Sequence, residues 1–371
     1  MGIMEYTTIG ESCSVVSGGT PSRSKDEYWK NGTVPWIKIG NIKSKYVNGY
    51  DESITEQGLN NSSAKLLKKG TILYTIFATL GEVGILNIEA CTNQAIVGIS
   101  INDSRITTDY LYYYLKSKKE YVNSIGRGVA QNNINLTALK EFEIPLIDVD
   151  KQLNIVKSLE KTEKIIDLKK NEIDDLDLLI KARFVEMFGS VHESTKYPYV
   201  SVKDLTNVIS GGTPSRDKSE YWKDGTIPWV KTTELENNII VNVDEYITEA
   251  GLNGSSAKMV PVGTTLVAMY GQGKTRGMTA YLNIEACTNQ ACACILPSDR
   301  IDSMFMWKFF ELSYENLRSL AQGAGQPNLN GNMIKNFQVL VPPVELQKEY
   351  VDFVKQVHKS KYDDIRVEYK C

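Results

Sequence analysis

The sequence predicts an α+β protein in which two strand-rich modules are joined by long α-helices. The first observation is a duplication, because the segment SGGTPSR at Ser17–Arg23 returns 193 positions later at Ser210–Arg216. The second is a stretch from Asp150 to Phe188 that contains no Pro or Gly, as expected of a long helix. Each repeat covers about 190 residues, more than a solenoid repeat, so we expect each module to fold around its own core.

The two copies agree over most of their length and differ in one loop. Two more motifs return with the same shift of 193, and LNIEACTNQA returns letter for letter with a shift of 196, so the second copy has gained three residues. The gain lies where TIFATLGEVGI in the first copy faces VAMYGQGKTRGMTAY in the second. A duplicated scaffold with a divergent loop predicts two related modules that bind two different targets, or two halves of one target.

Within each repeat, short strands come first and a helix follows. Strand-like runs rich in β-branched and aromatic residues are Ile37–Gly40, Thr71–Phe77, Ala95–Ile101, Thr264–Tyr270 and Ala291–Pro297. One helix is expected at 107–125 and one at 301–320, each with an aromatic face that we assign to the core. A Gly-rich turn follows, and it aligns Gln131, Asn133 and Asn135 with Gln326, Asn328 and Asn330.

Two long helices are predicted outside the strand-rich parts. The first, Asp150–Phe188, repeats apolar residues every seven positions and would span roughly 55–60 Å. The second, Glu345–Cys371, repeats the same spacing but is shorter. We expect an antiparallel coiled-coil spacer with pseudo-twofold symmetry, and the alternative is that each helix packs on its own module. The predicted domains are module 1 (1–147), a central helix (148–189), module 2 (190–342) and a C-terminal helix (343–371).

Composition and charge narrow the class of protein. The 371 residues include 42 Lys and Arg against 45 Asp and Glu, and there is no apolar run near the roughly 18 residues of a membrane span. The N-terminal sequence has no signal-peptide pattern, so a cytoplasmic protein without membrane contact is expected. Neither module is basic overall. A DNA-binding function would therefore need a local patch or partners that supply part of the phosphate contact.

No metal centre or catalytic site is predicted. The six cysteines are scattered without zinc-type spacing, and we expect reduced, mostly buried thiols, with Cys91 and Cys287 acting as small hydrophobic residues. Asp364, Glu368 and Lys370 resemble a nuclease set only superficially and are expected on a solvated helix face.

The segment Ala268–Thr275, AMYGQGKT, fits the loose form of a phosphate-binding loop. A true loop of that kind leads from a strand into a helix, whereas the sequence after Thr275 predicts a second strand. We therefore expect a hairpin and not a nucleotide-hydrolysing site. Its Gln and Arg side chains suit contacts with base edges, and its Lys and Thr side chains suit phosphate oxygens. The alternative is a solvated hairpin tip with incidental charge.

The motifs shared by the two copies are expected to be mainly structural. Trp36 and Trp229 are predicted to anchor their modules, while the nearby cations Arg23, Lys38, Arg216 and Lys231 are candidates for phosphate contacts. The amides of the repeated TNQA segment can either read adenine or tie loops together. These are Asn93, Gln94, Asn289 and Gln290.

The repeated pattern GGTPSR, YW, PWIK or PWVK, ITE.GLN.SSAK and TNQA, followed by a long helix, resembles the specificity subunit of Type I restriction-modification systems. MYGQGKTRG in the second copy and RFVEMFG at the end of the central helix match that family closely, and the resemblance covers essentially the whole chain. It implies that each repeat is a target recognition domain for one half of a bipartite DNA site. It also implies that the helices act as a spacer and dock methyltransferase subunits.

The resemblance further implies a non-catalytic chain without its own cofactor. In that family, partner modification subunits bind S-adenosylmethionine, and restriction/translocase subunits use ATP with Mg²⁺. Two rival functions are a tandem cytosolic carbohydrate- or protein-binding module without DNA specificity, and a nucleotide-hydrolysing enzyme. The candidate DNA-binding residues are Arg23, Lys38, Thr79, Arg127, Gln131 and Asn133 in module 1, and Arg216, Lys231, Tyr270, Gln272, Lys274, Thr275, Arg276, Gln326 and Asn328 in module 2.

Overall fold

The computed structural model describes residues 4–126, 133–271, 273–323 and 328–368. The chain divides into two compact units, Met1–Asp167 and Leu168–Cys371. Each unit contains one sequence repeat with its own hydrophobic core, and each combines β-sheets with helices, so the predicted α+β class is confirmed. Across the described ranges, no helix carries an apolar stretch long enough to cross a membrane.

The first unit holds module 1 and the beginning of the central helix. Its elements, in chain order, are β1 (Glu5–Thr8), α1 (Ile9–Ser12), β2 (Cys13–Ser17), β3 (Val34–Ile37), β4 (Tyr46–Val47), β5 (Glu52–Ile54), α2 (Glu56–Asn60), β6 (Ile72–Thr75), β7 (Val83–Leu86), β8 (Cys91–Thr92), β9 (Ile96–Ile101), α3 (Thr108–Ser117), α4 (Lys119–Gly126), α5 (Leu136–Lys140), β10 (Glu143–Leu146) and α6 (Val149–Phe188).

Three sheets make up module 1. A five-stranded sheet has the order β2-β9-β6-β7-β4, a three-stranded sheet has the order β5-β3-β8, and β1 pairs with β10. The central strand β6 is buried along its whole length, which explains its apolar run of Ile72 to Thr75. The β6–β7 pair is antiparallel and forms a hairpin, with Ile72 opposite Ile85 and Tyr74 opposite Val83.

The second unit repeats this arrangement in module 2. Its further elements are β11 (Tyr199–Ser201), α7 (Val202–Leu205), β12 (Val208–Ser210), β13 (Ile227–Val230), β14 (Asn238–Ile240), β15 (Glu245–Ile247), α8 (Glu249–Asn253), β16 (Thr265–Ala268), β17 (Thr279–Leu282), β18 (Cys287–Thr288), β19 (Cys292–Ile295), α9 (Ser303–Leu312), α10 (Tyr314–Gly323), α11 (Gly331–Asn336), β20 (Gln338–Leu340) and α12 (Val344–Glu368).

The sheets of module 2 have the same orders as those of module 1: β12-β19-β16-β17-β14, β15-β13-β18 and β11-β20. The strand that precedes the divergent loop is central in both five-stranded sheets. The register is also equivalent, because this strand pairs with corresponding residues of the neighbouring strand in each module. The duplication in sequence is therefore a duplication in topology.

Most predicted elements are present, and two predictions need correction. The run Ile37–Gly40 is not a strand, because β3 ends at Ile37 and a 3₁₀ turn occupies Ile39–Asn41. The single helix predicted in each module is two helices, α3 with α4 and α9 with α10. In module 2 the break falls at Ser313, whose hydroxyl donates to the Phe309 carbonyl at 2.6 Å. The aromatic face of these helices is buried, as predicted.

The long helices begin one residue earlier than predicted. Helix α6 starts at Val149 and helix α12 at Val344, while residues 369–371 lie outside the described part. Within the second unit the helices touch, because the Tyr350 ring of α12 lies 5.5 Å from the Phe184 ring of α6. Pairing along the whole of both helices, in an antiparallel and pseudo-twofold arrangement, stays a prediction.

The cysteines confirm the prediction of buried thiols. The five described ones are all buried and free, and Cys371 lies outside the described residues. Burial raises the pKa of the Cys91 and Cys287 thiols to about 11, so both are held in the neutral form.

Candidate nucleic-acid interface

The divergent loop of module 2 is the tip of a β-hairpin. Strand β16 enters the loop and β17 returns antiparallel to it, with Val267 opposite Thr279. No helix follows the loop, so the hairpin prediction is confirmed and the loop lacks the strand-to-helix geometry of a nucleotide-binding motif.

The tip of this hairpin exposes polar and aromatic side chains on a backbone bent by glycine. Gly271, Gly273 and Gly277 have φ angles of 149°, 61° and 88°, which non-glycine residues rarely adopt. Tyr270 is 41% exposed, Lys274 is exposed, and Thr275 and Arg276 are half-buried. Gln272 lies outside the described residues.

Arg276 carries the most unusual atom of the loop. Its Nε is buried and has no hydrogen-bond partner among the described residues. A buried donor without a partner is unfavourable by about 1–3 kcal/mol. Because this atom is closed to solvent, it could reach an acceptor outside the protein only if the side chain moved.

Helix α10 holds the loop from one side through two residues that the sequence did not identify. Arg318 donates to the carbonyl oxygens of Gly273 at 2.9 Å and Arg276 at 3.0 Å, and the Tyr314 hydroxyl donates to the Lys274 carbonyl at 2.7 Å. These bonds fix the backbone and leave the loop side chains free to face a ligand.

The end of the Gly-rich turn lies beside the hairpin. The amide of Leu329 donates to the Met269 carbonyl at 3.0 Å, which places exposed Asn328 next to the base of the loop. The structure thus brings Tyr270 and Asn328 together, although 58 positions separate them in the sequence. Gln326 lies outside the described residues.

Module 1 builds the same site with a shorter loop. The loop between β6 and β7 exposes Thr79, and Asn133 forms a β-bridge with Phe77 at its edge. Ala78 has φ of 62°, a conformation that favours glycine, so this tight tip is strained. Two predicted residues, Arg127 and Gln131, lie outside the described part of the chain.

Equivalent helix positions hold the two loops with different side chains. Lys119 and Asn123 of α4 align with Tyr314 and Arg318 of α10. Lys119 pairs with Glu82 at 2.6 Å, and the Asn123 amide donates to the Leu80 carbonyl at 3.4 Å. The sequence carried one indication of these loop-holding residues, because the two copies differ at these helix positions as well as in the loops.

The four predicted cations of the shared motifs lie in ion pairs within their own modules. The Arg23 guanidinium stacks 3.6 Å over the Trp29 ring and bonds Glu52 at 2.5 Å, and Lys38 bonds the same carboxylate at 2.5 Å. These hydrogen bonds from Lys38 and Arg23 hold the pKa of Glu52 below its ordinary value. These contacts form a structural cluster within the module. The phosphate contacts of these cations stay a prediction.

Module 2 repeats the cluster. The Arg216 guanidinium lies 3.6 Å over the Trp222 ring and 2.6 Å from Glu245, and Lys231 lies 3.1 Å from the same carboxylate. Burial opposes ionisation of Glu245, but the bonds from Arg216 and Lys231 outweigh it and hold its pKa below the ordinary value.

The tryptophans of this cluster anchor the modules, as predicted. Trp36 and Trp229 are each 2% exposed, and each indole N–H donates to a glycine carbonyl, that of Gly19 at 2.9 Å or Gly212 at 3.0 Å. A Cβ at Gly18 would lie 2.0 Å from the Asn93 carbonyl oxygen, so the Gly-Gly pair is required by close packing.

The TNQA amides tie loops together. The Thr20 hydroxyl donates to Gln94 and the Thr213 hydroxyl to Gln290, which links the GGTP and TNQA segments in both modules. Asn289 has a buried Oδ1 without a partner among the described residues. Asp364 and Glu368 belong to α12, but their side chains lie outside the described part, as does Lys370.

Comparison with known proteins agrees with this geometry. The family model for the Type I restriction modification DNA specificity domain matches the chain twice, over residues 2–178 and 195–365. The chain belongs to this family. The predicted resemblance is thus confirmed, and each match covers one module together with much of the long helix that follows it. A non-catalytic specificity subunit is the role this family has in type I systems, and nothing in the matches supports a carbohydrate-binding module.

Relatives and solved structures cover the full length. The Type I restriction enzyme MjaIX specificity subunit of Methanocaldococcus jannaschii is 24% identical over 96% of this chain and 87% of its own length. The EcoprrI specificity subunit of Escherichia coli is 23% identical over 93% and 85%. The crystal structure of the S subunit of a Type-I restriction-modification system from M. genitalium shares 15% identity, covers 98% of this chain and 92% of its own, and has a TM-score of 0.55.

Another solved chain, from work on complex assembly and conformational transition of the type I R-M system, gives a TM-score of 0.60. It shares 16% identity and covers 99% of this chain and 94% of its own. At such identities these matches establish that the specificity chain has the fold of S subunits.

Proposed function

We propose that this specificity chain recognises a bipartite double-stranded DNA site, with module 1 reading one half-site and module 2 the other. The hairpin tips would supply the DNA contacts. In module 2, Tyr270 and Arg276 would contact bases while Lys274 and Thr275 would contact phosphate oxygens, and in module 1 the contacts would come from Thr79 and Asn133. The long helices would set the separation of the half-sites and dock methyltransferase subunits.

One observation carries this proposal: two modules with the same sheet topology present hairpin tips of different length and chemistry. A scaffold that is repeated while its exposed loop diverges is suited to reading two different sequences. The half-buried guanidinium of Arg276 adds a positive charge at the tip.

The charge of the chain supports a role within a larger complex. Module 1 has 15 Lys and Arg against 16 Asp and Glu up to residue 150, so it offers no strong positive potential of its own to attract DNA phosphates. We propose that methyltransferase subunits, with S-adenosylmethionine, complete the DNA clamp, and that restriction/translocase subunits, with ATP and Mg²⁺, join the same cytoplasmic assembly. The specificity chain itself needs no cofactor for this role.

The test is methylation of a random DNA library by the chain reconstituted with its methyltransferase. We expect two short defined half-sites at a fixed separation. The sharper variant replaces residues 269–278 of module 2 with residues 76–82 of module 1, and it should change the second half-site while leaving the first intact. A complex that methylates no bipartite sequence above random DNA at moderate salt would refute the proposal.

The spacer role has its own test. Inserting seven residues into α6 keeps the seven-residue stripe in phase and lengthens the helix by roughly 10 Å. That is the rise of about three base pairs, so the recognised separation should increase while both half-sites stay the same. An unchanged separation would show that the helix does not act as a ruler.

A further inference from the structure

A groove of about 500 Å³ opens on module 2 along β12, an edge strand of the five-stranded sheet, and the function proposed above does not use it. It is lined by all three residues of β12, by helix α11 and by Lys258 of the SSAK motif. Its polar side chains are Ser210, Lys258, Asn330, Asn332 and Lys335. No acidic side chain is among the described residues that line it.

The topology places the Ser210 end of this groove towards the hairpin. Ser210 is opposite Ala293, and Ala293 is opposite Val267, so the last residue of β12 is level with the residue before the last in β16. On the other side, Asn330 follows Asn328 by two residues. One end of the groove therefore lies towards the predicted base-reading loop.

The two lysines of the groove differ from the other cations of the shared motifs. Lys231 and Arg216 form ion pairs with Glu245, whereas neither Lys258 nor Lys335 has an ion pair among the described residues. Both are exposed. Two free ammonium groups and a hydroxyl around an open groove form a cationic surface in a module that has 13 Lys and Arg against 15 Asp and Glu over residues 191–342.

We propose that this groove binds the DNA backbone beside the second half-site, with Lys258 and Lys335 on phosphate oxygens and Ser210 as a hydrogen-bond donor. The inference rests on the proposed function, because it takes DNA as the ligand of module 2. Backbone contacts of this kind fix register and orientation without reading sequence. The groove would hold the duplex in place while the hairpin reads the bases.

The duplication offers a second instance of the same pair. Lys65 and Lys140 of module 1 occupy the positions equivalent to Lys258 and Lys335, and both are exposed without an ion pair among the described residues. A scaffold that keeps both lysines in both copies, although its loops differ, fits a contact that is independent of sequence.

The experiment measures DNA affinity of the reconstituted complex against salt concentration for the double variant K258A/K335A. Each lost phosphate contact should lower the slope of log affinity against log salt by roughly 0.9, so we expect a slope shallower by about 2. Affinity should fall by the same factor for the matched site and for sites with one altered base pair. K258R/K335R keeps the charges and should behave like the unchanged chain.

The control is Lys223→Ala, which removes an exposed lysine of module 2 that does not line the groove. It should leave the slope unchanged. An unchanged slope in K258A/K335A, with sequence preference retained, would overturn the groove proposal alone. Loss of discrimination at one base pair would also overturn it, because the lysines would then read bases. Absence of any preference in the unchanged complex would instead refute the proposed function.

Discussion

The two modules attach to their long helices through shared contacts and several different ones. The buried Gln152 of α6 accepts from the Thr107 amide at 2.9 Å and donates to the Ile147 carbonyl at 2.9 Å. Gln347 of α12 makes the equivalent bonds to the Asp302 amide at 2.8 Å and the Pro342 carbonyl at 2.7 Å. This glutamine fixes where each helix leaves its module.

Beyond that glutamine, each helix buries one valine at an equivalent position, Val156 or Val351, and then module 1 adds charged contacts while module 2 adds further apolar packing. Lys45 bonds both Asp109 at 2.7 Å and Glu160 of α6 at 2.6 Å, and Glu163 accepts from the Tyr113 hydroxyl at 2.7 Å. Burial opposes the charge of Lys45, but its two carboxylate partners raise its pKa overall.

On module 2 the corresponding face of α12 buries Tyr350, Val351, Val354 and Val357 in the core. Duplication has therefore preserved the attachment point and the scaffold, while the helix contacts and the hairpin loops have diverged.

The largest expected effect tests whether the scaffold is equivalent in both modules. Trp36→Ala and Trp229→Ala should each destabilise their own module by about 3–5 kcal/mol, because each removes a buried indole. Hydrogen exchange measured across the chain gives the result, and the unmutated module is the internal control. A module that keeps its protection after losing its tryptophan would show that the anchors are not equivalent.

The strands, the long helices and the motifs shared by the two modules could be predicted from the sequence, for a physical reason. Strands and long helices can be recognised from the local periodicity of their apolar residues, and the duplication shows each shared motif twice. The hairpin could be predicted because the residues after Thr275 alternate as a strand does. The pairing of Arg23 with Glu52 could not, since the two are 29 positions apart and only the folded sheet brings them together.

The loop-holding residues were missed for the same reason. Arg318 lies 45 positions from Gly273, and a helix position facing a loop has no periodic signature. The break between α9 and α10 was also missed, because Ser313 is compatible with a helix and acts through a local bond to Phe309. Contacts distant in sequence and side-chain bonds at helix ends therefore need coordinates.

A smaller effect separates the roles of the two hairpins. Arg276→Ala should relax recognition at one base pair of the second half-site by about 1–3 kcal/mol, while Lys274→Ala should weaken all sequences alike. Neither should alter the first half-site. Methylation of a library of site variants provides the measurement.

The matched variant in module 1 is Thr79→Ala, which should affect the first half-site only. If Arg276→Ala leaves the preference unchanged at every position, the tip is scaffold and the base contacts lie elsewhere, with Asn328 as the next candidate. The comparison between modules then shifts from the loops to the segment beside them.

The smallest effect concerns the ionic attachment of α6 to module 1. The double variant E160Q/E163Q removes the charges that α6 offers to Lys45 and Lys116, and it should cost no more than about 1 kcal/mol because these pairs are partly solvated. Salt screens such pairs, so in the unchanged chain protection of residues 149–167 from hydrogen exchange should fall as salt rises, and this dependence should weaken in the variant.

Helix α12 supplies the control, because Lys355 aligns with Glu160 and, among the described residues, its ion pair is with Asp352 of its own helix, at 3.9 Å. Lys355→Gln should change neither protection nor its salt dependence, since apolar packing holds α12 on module 2. Equal salt dependence in the two helices would contradict the division into ionic and apolar attachment. It would mean that Gln152 and Gln347, the shared contact, dominate in both modules and that the charges around α6 serve another purpose.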